Sequence, residues 1–125
     1  GYDWDSYVKY GRQRFLTAPL MKWMFGKYVS DPAQRGNDLM SPVRASAERL
    51  RGLPATLIVV AENDILGDEG EAMGRRLDEA GVEVTTVRFN GVVHDWGMLN
   101  GFAALHPTRT LIRLVGSVLR DYLEK

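Results

Sequence analysis

Five apolar residues in a row, LIVVA at 57–61, place the tightest constraint on what this chain can fold into. A strand with one wet face alternates apolar and polar side chains. A continuous β-rich run over Ala55–Ala61 is instead the pattern of a strand with both faces covered, as in parallel sheets. A parallel neighbour needs a crossover connection, and the next segment has the form of one. Gly67–Ala80 reads as a helix with an acidic first turn (Asp68, Glu69, Glu71) and a core face of Ala72, Met73, Leu77 and Ala80. Gly81 stands where a helix closes in the left-handed conformation. Val82–Phe89, VEVTTVRF, follows as a second, partly alternating strand. The spacing therefore predicts a strand–helix–strand unit over 55–89, with parallel strands and a right-handed crossover. The expected class is α/β.

The flanks read differently. Residues 1–16 are aromatic and polar without clean periodicity. In TAPLMKWMFGKYVSDP, Thr17 can cap and Pro19 suits a first turn. Leu20, Met21, Trp23, Met24 and Tyr28 fall near one broad face, and Pro32 stops the helix. That face is expected either to pack or to form a lid or wall of an apolar pocket. Residues 30–54 are connecting chain with a short helical patch around Arg44–Leu50. Pro107 opens a last helix to about Leu123, with an apolar stripe of Leu111, Ile112, Leu114, Val115, Val118, Leu119 and Tyr122. The expected division is a helical and loop segment over 1–54 and a strand–helix–strand–helix part over 55–125, together one domain.

Composition removes several function classes. The chain has 125 residues, enough for one domain and too few for two ordinary ones. Lys+Arg and Asp+Glu balance at 16 each, so no basic surplus argues for nucleic acid or an anionic membrane. There is no cysteine and there are two histidines, which excludes disulfides and thiolate sites and disfavours structural zinc. No run reaches the length of a membrane span. The start, GYDWDSYVKYG, lacks a signal-peptide layout, and a cytoplasmic protein is the corresponding expectation.

Function in open α/β sheets collects where strands end at their carboxyl edge. Asp64 lies just past the first strand and His94 just past the second, in FNGVVHDW. Neighbouring strands lie about 4.8 Å apart, so loops leaving one edge can bring the two side chains together. A carboxylate on Nδ1 would fix the tautomer and leave Nε2 free as a general base. Each residue also has an ordinary role open to it. Asp64 can make a turn or cap the following helix, and His94 can be a satisfied loop histidine. Asp68, Glu69 and Glu71 suit the helix dipole better than a metal. His106 precedes Pro107 at a helix start, where a surface or capping role fits.

The run SPVRASAERLRGLPATLIVVAENDILGDEGEAMGRRLDEAGVEVTTVRFNGVVHDW resembles the C-terminal part of α/β-hydrolases of the hormone-sensitive-lipase-like esterase family. The likeness is carried by Ser41–Pro42, the Leu-Pro before the buried strand, DILGDEG from Asp64, EAGV before the next strand, and the Gly-x-x-His of GVVHDW. TAPLMKWMFGKYVSD resembles the segment upstream. The resemblance implies the C-terminal portion of an α/β-hydrolase fold with an incomplete sheet, and a serine carboxylesterase or lipase acting on small to medium acyl esters. It implies Asp64 as triad acid and His94 as triad base, with Asp68, Glu69 and Gly70 structural in the acid loop, and no cofactor. The chain departs from the pattern at Ile65, where Pro is common, and at Gly67, where Arg is common. Asp95–Trp96 replace Gly–Phe after the histidine, so an acidic neighbour can raise the proton affinity of His94 and an indole can enlarge the pocket wall.

The family's nucleophile sits in Gly-x-Ser-x-Gly, and its oxyanion hole uses an HGGG-like loop. Neither occurs here. The serines are Ser6, Ser30, Ser41, Ser46 and Ser117, none between glycines at that spacing. The chain alone is therefore expected to be nearly inactive. Two strands leave a bare sheet edge, so it is expected to self-associate as a homo-oligomer. The competing expectation is a non-catalytic module that binds a partner through that edge. A flavodoxin-like domain holding Mg²⁺ at the acidic cluster is disfavoured, because that sheet needs about five strands.

Overall fold

The computed structural model describes residues 2–12 and 14–124. Gly1, Gln13 and Lys125, which fall within the ranges expected above, lie outside the described residues. In chain order the elements are α1 (Asp5–Tyr10), α2 (Ala18–Tyr28), α3 (Ala47–Leu50), β1 (Thr56–Asn63), α4 (Gly67–Glu79), β2 (Val84–Val93) and α5 (His106–Leu123). Short 3₁₀ turns occupy Pro32–Gly36, Pro42–Arg44 and Asn100–Phe102. The strands are parallel and, among the described residues, form a two-stranded sheet. This is the incomplete α/β sheet that the sequence predicts.

The pairing is regular from Thr56 opposite Val84 to Ala61 opposite Phe89. Period-two alternation then divides the side chains. Ile58 and Val84 face α4 and join a core of Leu77, Ala80, Val82, Ala45 and Leu50. Val59, Ala61 and Phe89 face the other way, against Val92, Trp96 and Leu111 of α5. The α4 side is closely packed because α4 carries Gly74 where it crosses the sheet. A Cβ there would stand 2.1 Å from Thr86 Oγ1. At the far end of α4, Val82 N donates to Leu77 O and Gly81 N donates to Asp78 O, the paired bonds of a Schellman closure.

Several local expectations need correction. β1 runs to Asn63 and β2 to Val93, both past the expected ends. Residues 1–16 contain α1, which is too short to display a period. Thr17 caps α2 as expected, its Oγ1 accepting from Leu20 N at 3.3 Å. However, α2 has no fully buried residue, and Trp23 and Tyr28 are 62% and 72% exposed. Only its inner side, Ala18 and Met21, joins a cluster with Tyr7, Tyr10, Leu16 and Ile65. The helix ends at Tyr28, ahead of Pro32. β1 is covered by α4 on one face, while its other face opens onto a groove beneath α5, so the expected double cover is incomplete. Ile112 and Leu119 on the α5 stripe are correspondingly exposed.

Gly74→Ala tests the helix–sheet contact. Alanine gains up to about 1 kcal/mol in helix propensity. Overpacking against Thr86 costs about 1–3 kcal/mol. Net destabilisation is expected in a urea melt, with Gly116→Ala, whose Cβ meets open space, as the stabilising contrast.

Candidate active site

The ladder loses register after Ala61. Asn63 pairs with Val93, so one residue of β1, Glu62, faces three of β2, Asn90, Gly91 and Val92. Gly91 has φ +74, a conformation glycine adopts without steric cost. Side chains of β1 replace the lost ladder bonds. Gly91 N donates to Glu62 Oε2 at 2.7 Å, and Asn63 Nδ2 donates to Val92 O at 3.3 Å. The polar end of the apolar strand thus has a first use: Glu62 and Asn63 stitch a bulge.

The bulge puts the residue after Val93 level with the residue after Asn63. His94 Nδ1 lies 2.7 Å from Asp64 Oδ2. The other carboxylate oxygen, Oδ1, accepts from Leu66 N at 2.9 Å, and Asp64 O accepts from Gly67 N at 3.2 Å. Asp64 therefore turns the chain into α4 and meets His94 with the same side chain. It is only 8% exposed. An acceptor at Nδ1 favours the neutral tautomer with the proton on Nδ1 and a free Nε2 lone pair.

The acid loop is held from outside. Ser6, in α1, is buried; its Oγ donates to Ile65 O at 2.6 Å and its N donates to Asp68 Oδ2 at 2.7 Å. Ile65 is 0% exposed and sits among Tyr7, Tyr10 and Leu16. The sequence reading missed this clamp because it joins residues about sixty apart and no local pattern marks it. Of the first-turn acids, Asp68 serves Ser6, while Glu71 pairs with Arg75 at 3.9 Å and Arg88 at 3.6 Å. Tyr7, beside this loop, has its phenol pushed up to about 12, first by burial and then by Glu69, Tyr2 and Asp64. Among the described residues no group of three or more His, Asp or Glu is arranged to hold a metal ion.

Asp64 and His94 line a groove of about 700 Å³. Its walls are largely apolar and include Val59, Trp96, Leu111, Val115 and Leu119. Trp96 is the one tryptophan on this wall. Trp23 is exposed on α2 and Trp4 packs beside Tyr7 and Ile65. His106 is exposed at the first position of α5, outside the groove. The His94 imidazole is raised above its ordinary 6.5, first by the Asp64 hydrogen bond and then by the charges of Asp64 and Asp95, against a lowering from burial.

Residues 2–98 match the family described as alpha/beta hydrolase fold. The chain belongs to the alpha/beta-hydrolase family. It is 36% identical over 91 residues to an ethyl acetate hydrolase of Pseudomonas putida, covering 73% of this chain and 28% of that protein. It is 36% identical over 94 residues to an arylesterase of Saccharolobus solfataricus, covering 75% and 28%. Among solved structures, a thermostable esterase from Pseudomonas putida ECU1011 superposes with a TM-score of 0.91 at 42% identity, over 93% of this chain and 36% of that one. The chain spans about a third of the length of the curated relatives it matches.

A raised histidine makes a stability prediction. Protonated His94 is favoured in the folded chain, so its contribution is fully present below the unfolded value near 6.5 and is lost as pH rises through the folded value. The stability difference between wild type and His94→Gln should be largest at mildly acid pH and shrink toward alkaline pH. Urea melts across that range check it.

Proposed function

We propose that this chain is the acid–base portion of a serine carboxylic ester hydrolase, a carboxylesterase or lipase acting on small to medium acyl esters. The observation that carries the reading is the 2.7 Å contact between Asp64 Oδ2 and His94 Nδ1 at the carboxyl edge of two parallel strands. The esterase relatives and the apolar groove support it. The chain has no Gly-x-Ser-x-Gly, so the proposal places the nucleophile on polypeptide outside these 125 residues.

In this mechanism Nε2 of His94 takes the serine proton as the serine oxygen bonds to the acyl carbon. Asp64 keeps the ring oriented and stabilises the imidazolium without taking the proton itself. The imidazolium then gives that proton to the departing alkoxide, which leaves as alcohol with an acyl-enzyme behind. Water repeats the sequence: it loses a proton to Nε2 as it bonds to the acyl carbon, and the imidazolium returns that proton to the serine oxygen as the acyl–serine bond breaks and the acid leaves. The helical and loop segment ahead of β1 serves as a lid or wall, and its α1 holds the acid loop through Ser6.

The acid–base pair supplies no nucleophile and no oxyanion donors, the groups that ordinarily provide much of the rate. The 125-residue chain should therefore release negligible product from a chromogenic short-chain ester. The polypeptide that includes the upstream sequence should be labelled at a serine by an alkyl phosphonate, and His94→Ala should abolish labelling. Turnover by the chain alone that His94→Ala removes, or failure of the longer polypeptide to label, overturns the reading.

A second reading, binding through the sheet edge, is favoured by one observation: β1 pairs only with β2 among the described residues, which leaves its other edge open. On this basis the isolated chain should self-associate through β1. Light scattering on dilute chain should give a multiple of 14.0 kDa, and a clean monomer contradicts it.

A further inference from the structure

Asp95 follows His94 and has no part in the mechanism above. Its backbone is in the left-handed region at φ 59, the one non-glycine residue with positive φ among those described. Aspartate and asparagine tolerate that conformation better than most residues. Met98 N donates to Asp95 O at 2.9 Å, which closes a turn. A turn alone would be served equally well by glycine or asparagine. Here the conformation also swings the carboxylate back over the preceding ring. Asp95 Oδ1 lies 3.4 Å from His94 Nε2, the nitrogen opposite the one that meets Asp64.

The ring therefore stands between two carboxylates. Asp64 approaches Nδ1 from the loop between β1 and α4, and Asp95 approaches Nε2 from the turn after β2. The α5 side of the groove presents Leu111, Ile112 and Val115, which carry no charge. The two anions differ in setting. The Asp64 side chain is 10% exposed, whereas that of Asp95 is 44% exposed and borders the groove. One partner is enclosed by protein; the other is reached by solvent.

We propose that Asp95 is a positioning residue for His94, a movable second counter-ion that stabilises a proton on Nε2 and yields that nitrogen to an entering nucleophile. The proposal rests on the esterase reading only for the identity of that nucleophile. The contact and its effect on the ring belong to the folded chain. A raised proton affinity at Nε2 strengthens the ring as the base that takes the nucleophile's proton. The cost is that a larger share of the resting ring is protonated, so the base becomes available only at higher pH.

The test is an NMR titration of the His94 Hε1 resonance in the folded chain, assigned with His106→Gln. Asp95→Asn and Asp95→Gly both suit the left-handed backbone, and amide spectra check that they fold. The midpoint of His94 should fall in both by about 0.2–0.7 pH units at low salt, the range expected for a solvent-exposed pair. Asp95→Glu should remain nearer wild type. Raising the salt to about 1 M should erase the difference between wild type and Asn, since an exposed pair is screened there. Asp64→Asn should lower the midpoint further, by an amount that salt changes less. If the Asn and Gly variants titrate together with wild type, Asp95 only closes a turn and the proposal fails. A difference that persists unchanged at high salt also overturns it. Because the titration needs no serine and no turnover, it can succeed while phosphonate labelling fails. In that case the counter-ion stands and only the esterase reading is lost.

Discussion

The site depends on a parallel ladder that loses register at one place. Had the pairing of Thr56 with Val84 continued unbroken, Asn63 would face Gly91 and Asp64 would face Val92. The bulge gives β2 two extra residues, so Asn63 faces Val93 and the next pair is Asp64 with His94. Bulges re-aim side chains in this way, at the expense of ladder bonds that something else must replace. Here the replacements come from the strand that keeps its length, through Glu62 to Gly91 N and Asn63 to Val92 O. The acidic cluster after the apolar run therefore divides its labour. Glu62 and Asn63 hold the bulge open, and Asp64 uses the position the bulge creates.

How much of this could be read in advance follows from the range of each interaction. The first strand, α4 with its glycine closure and α5 with its proline start all rest on local pattern and are present, although β1 runs on to Asn63 and is covered fully on one face only. The expected second strand stops at Phe89, just ahead of Asn90–Gly91, a dipeptide that favours turns. The glycine does bend the chain, but within a ladder that resumes at Val93. Asp64 and His94 were placed at matching strand ends, and the structure brings them together. Their partners were invisible for a physical reason. Ser6 reaches Ile65 and Asp68 across the whole fold, and α1 is too short to show a helical period. For α2, Thr17 and Pro19 are reliable because caps are local, whereas the choice between packing and a lid or wall for its apolar face depends on tertiary neighbours.

Ile65, which stands where the resembled family commonly carries proline, is held by packing. A proline at that position would stiffen the acid loop through its ring. Isoleucine has no such restraint, yet its side chain is fully enclosed by Tyr7, Tyr10 and Leu16 while its carbonyl accepts from Ser6. Enclosing a side chain of this size is worth about 1.5–3 kcal/mol. The loop is thus held by packing from the N-terminal segment, and α1 becomes part of the acid's support. This also gives Ser6, Tyr7, Tyr10 and Leu16 a purpose that the irregular composition around them conceals.

The same economy explains why the acid is an aspartate. At the outset the turn-making and histidine-orienting roles of Asp64 were competing readings. They do not compete, because a carboxylate has two oxygens and this one assigns Oδ1 to Leu66 N and Oδ2 to His94. The short side chain is what allows both. A single methylene keeps Oδ1 within reach of the amide two residues on, as in an Asx-turn. A glutamate would carry its carboxylate past that amide and lose the Asx-turn bond, leaving the backbone bond from Gly67 N to Asp64 O at the entry to α4. An asparagine could keep the turn with its oxygen but would offer an N–H donor toward Nδ1, opposing the tautomer that frees Nε2. Folding and chemistry therefore converge on one residue type at one position: the start of α4 and the orientation of the imidazole are two ends of the same carboxylate.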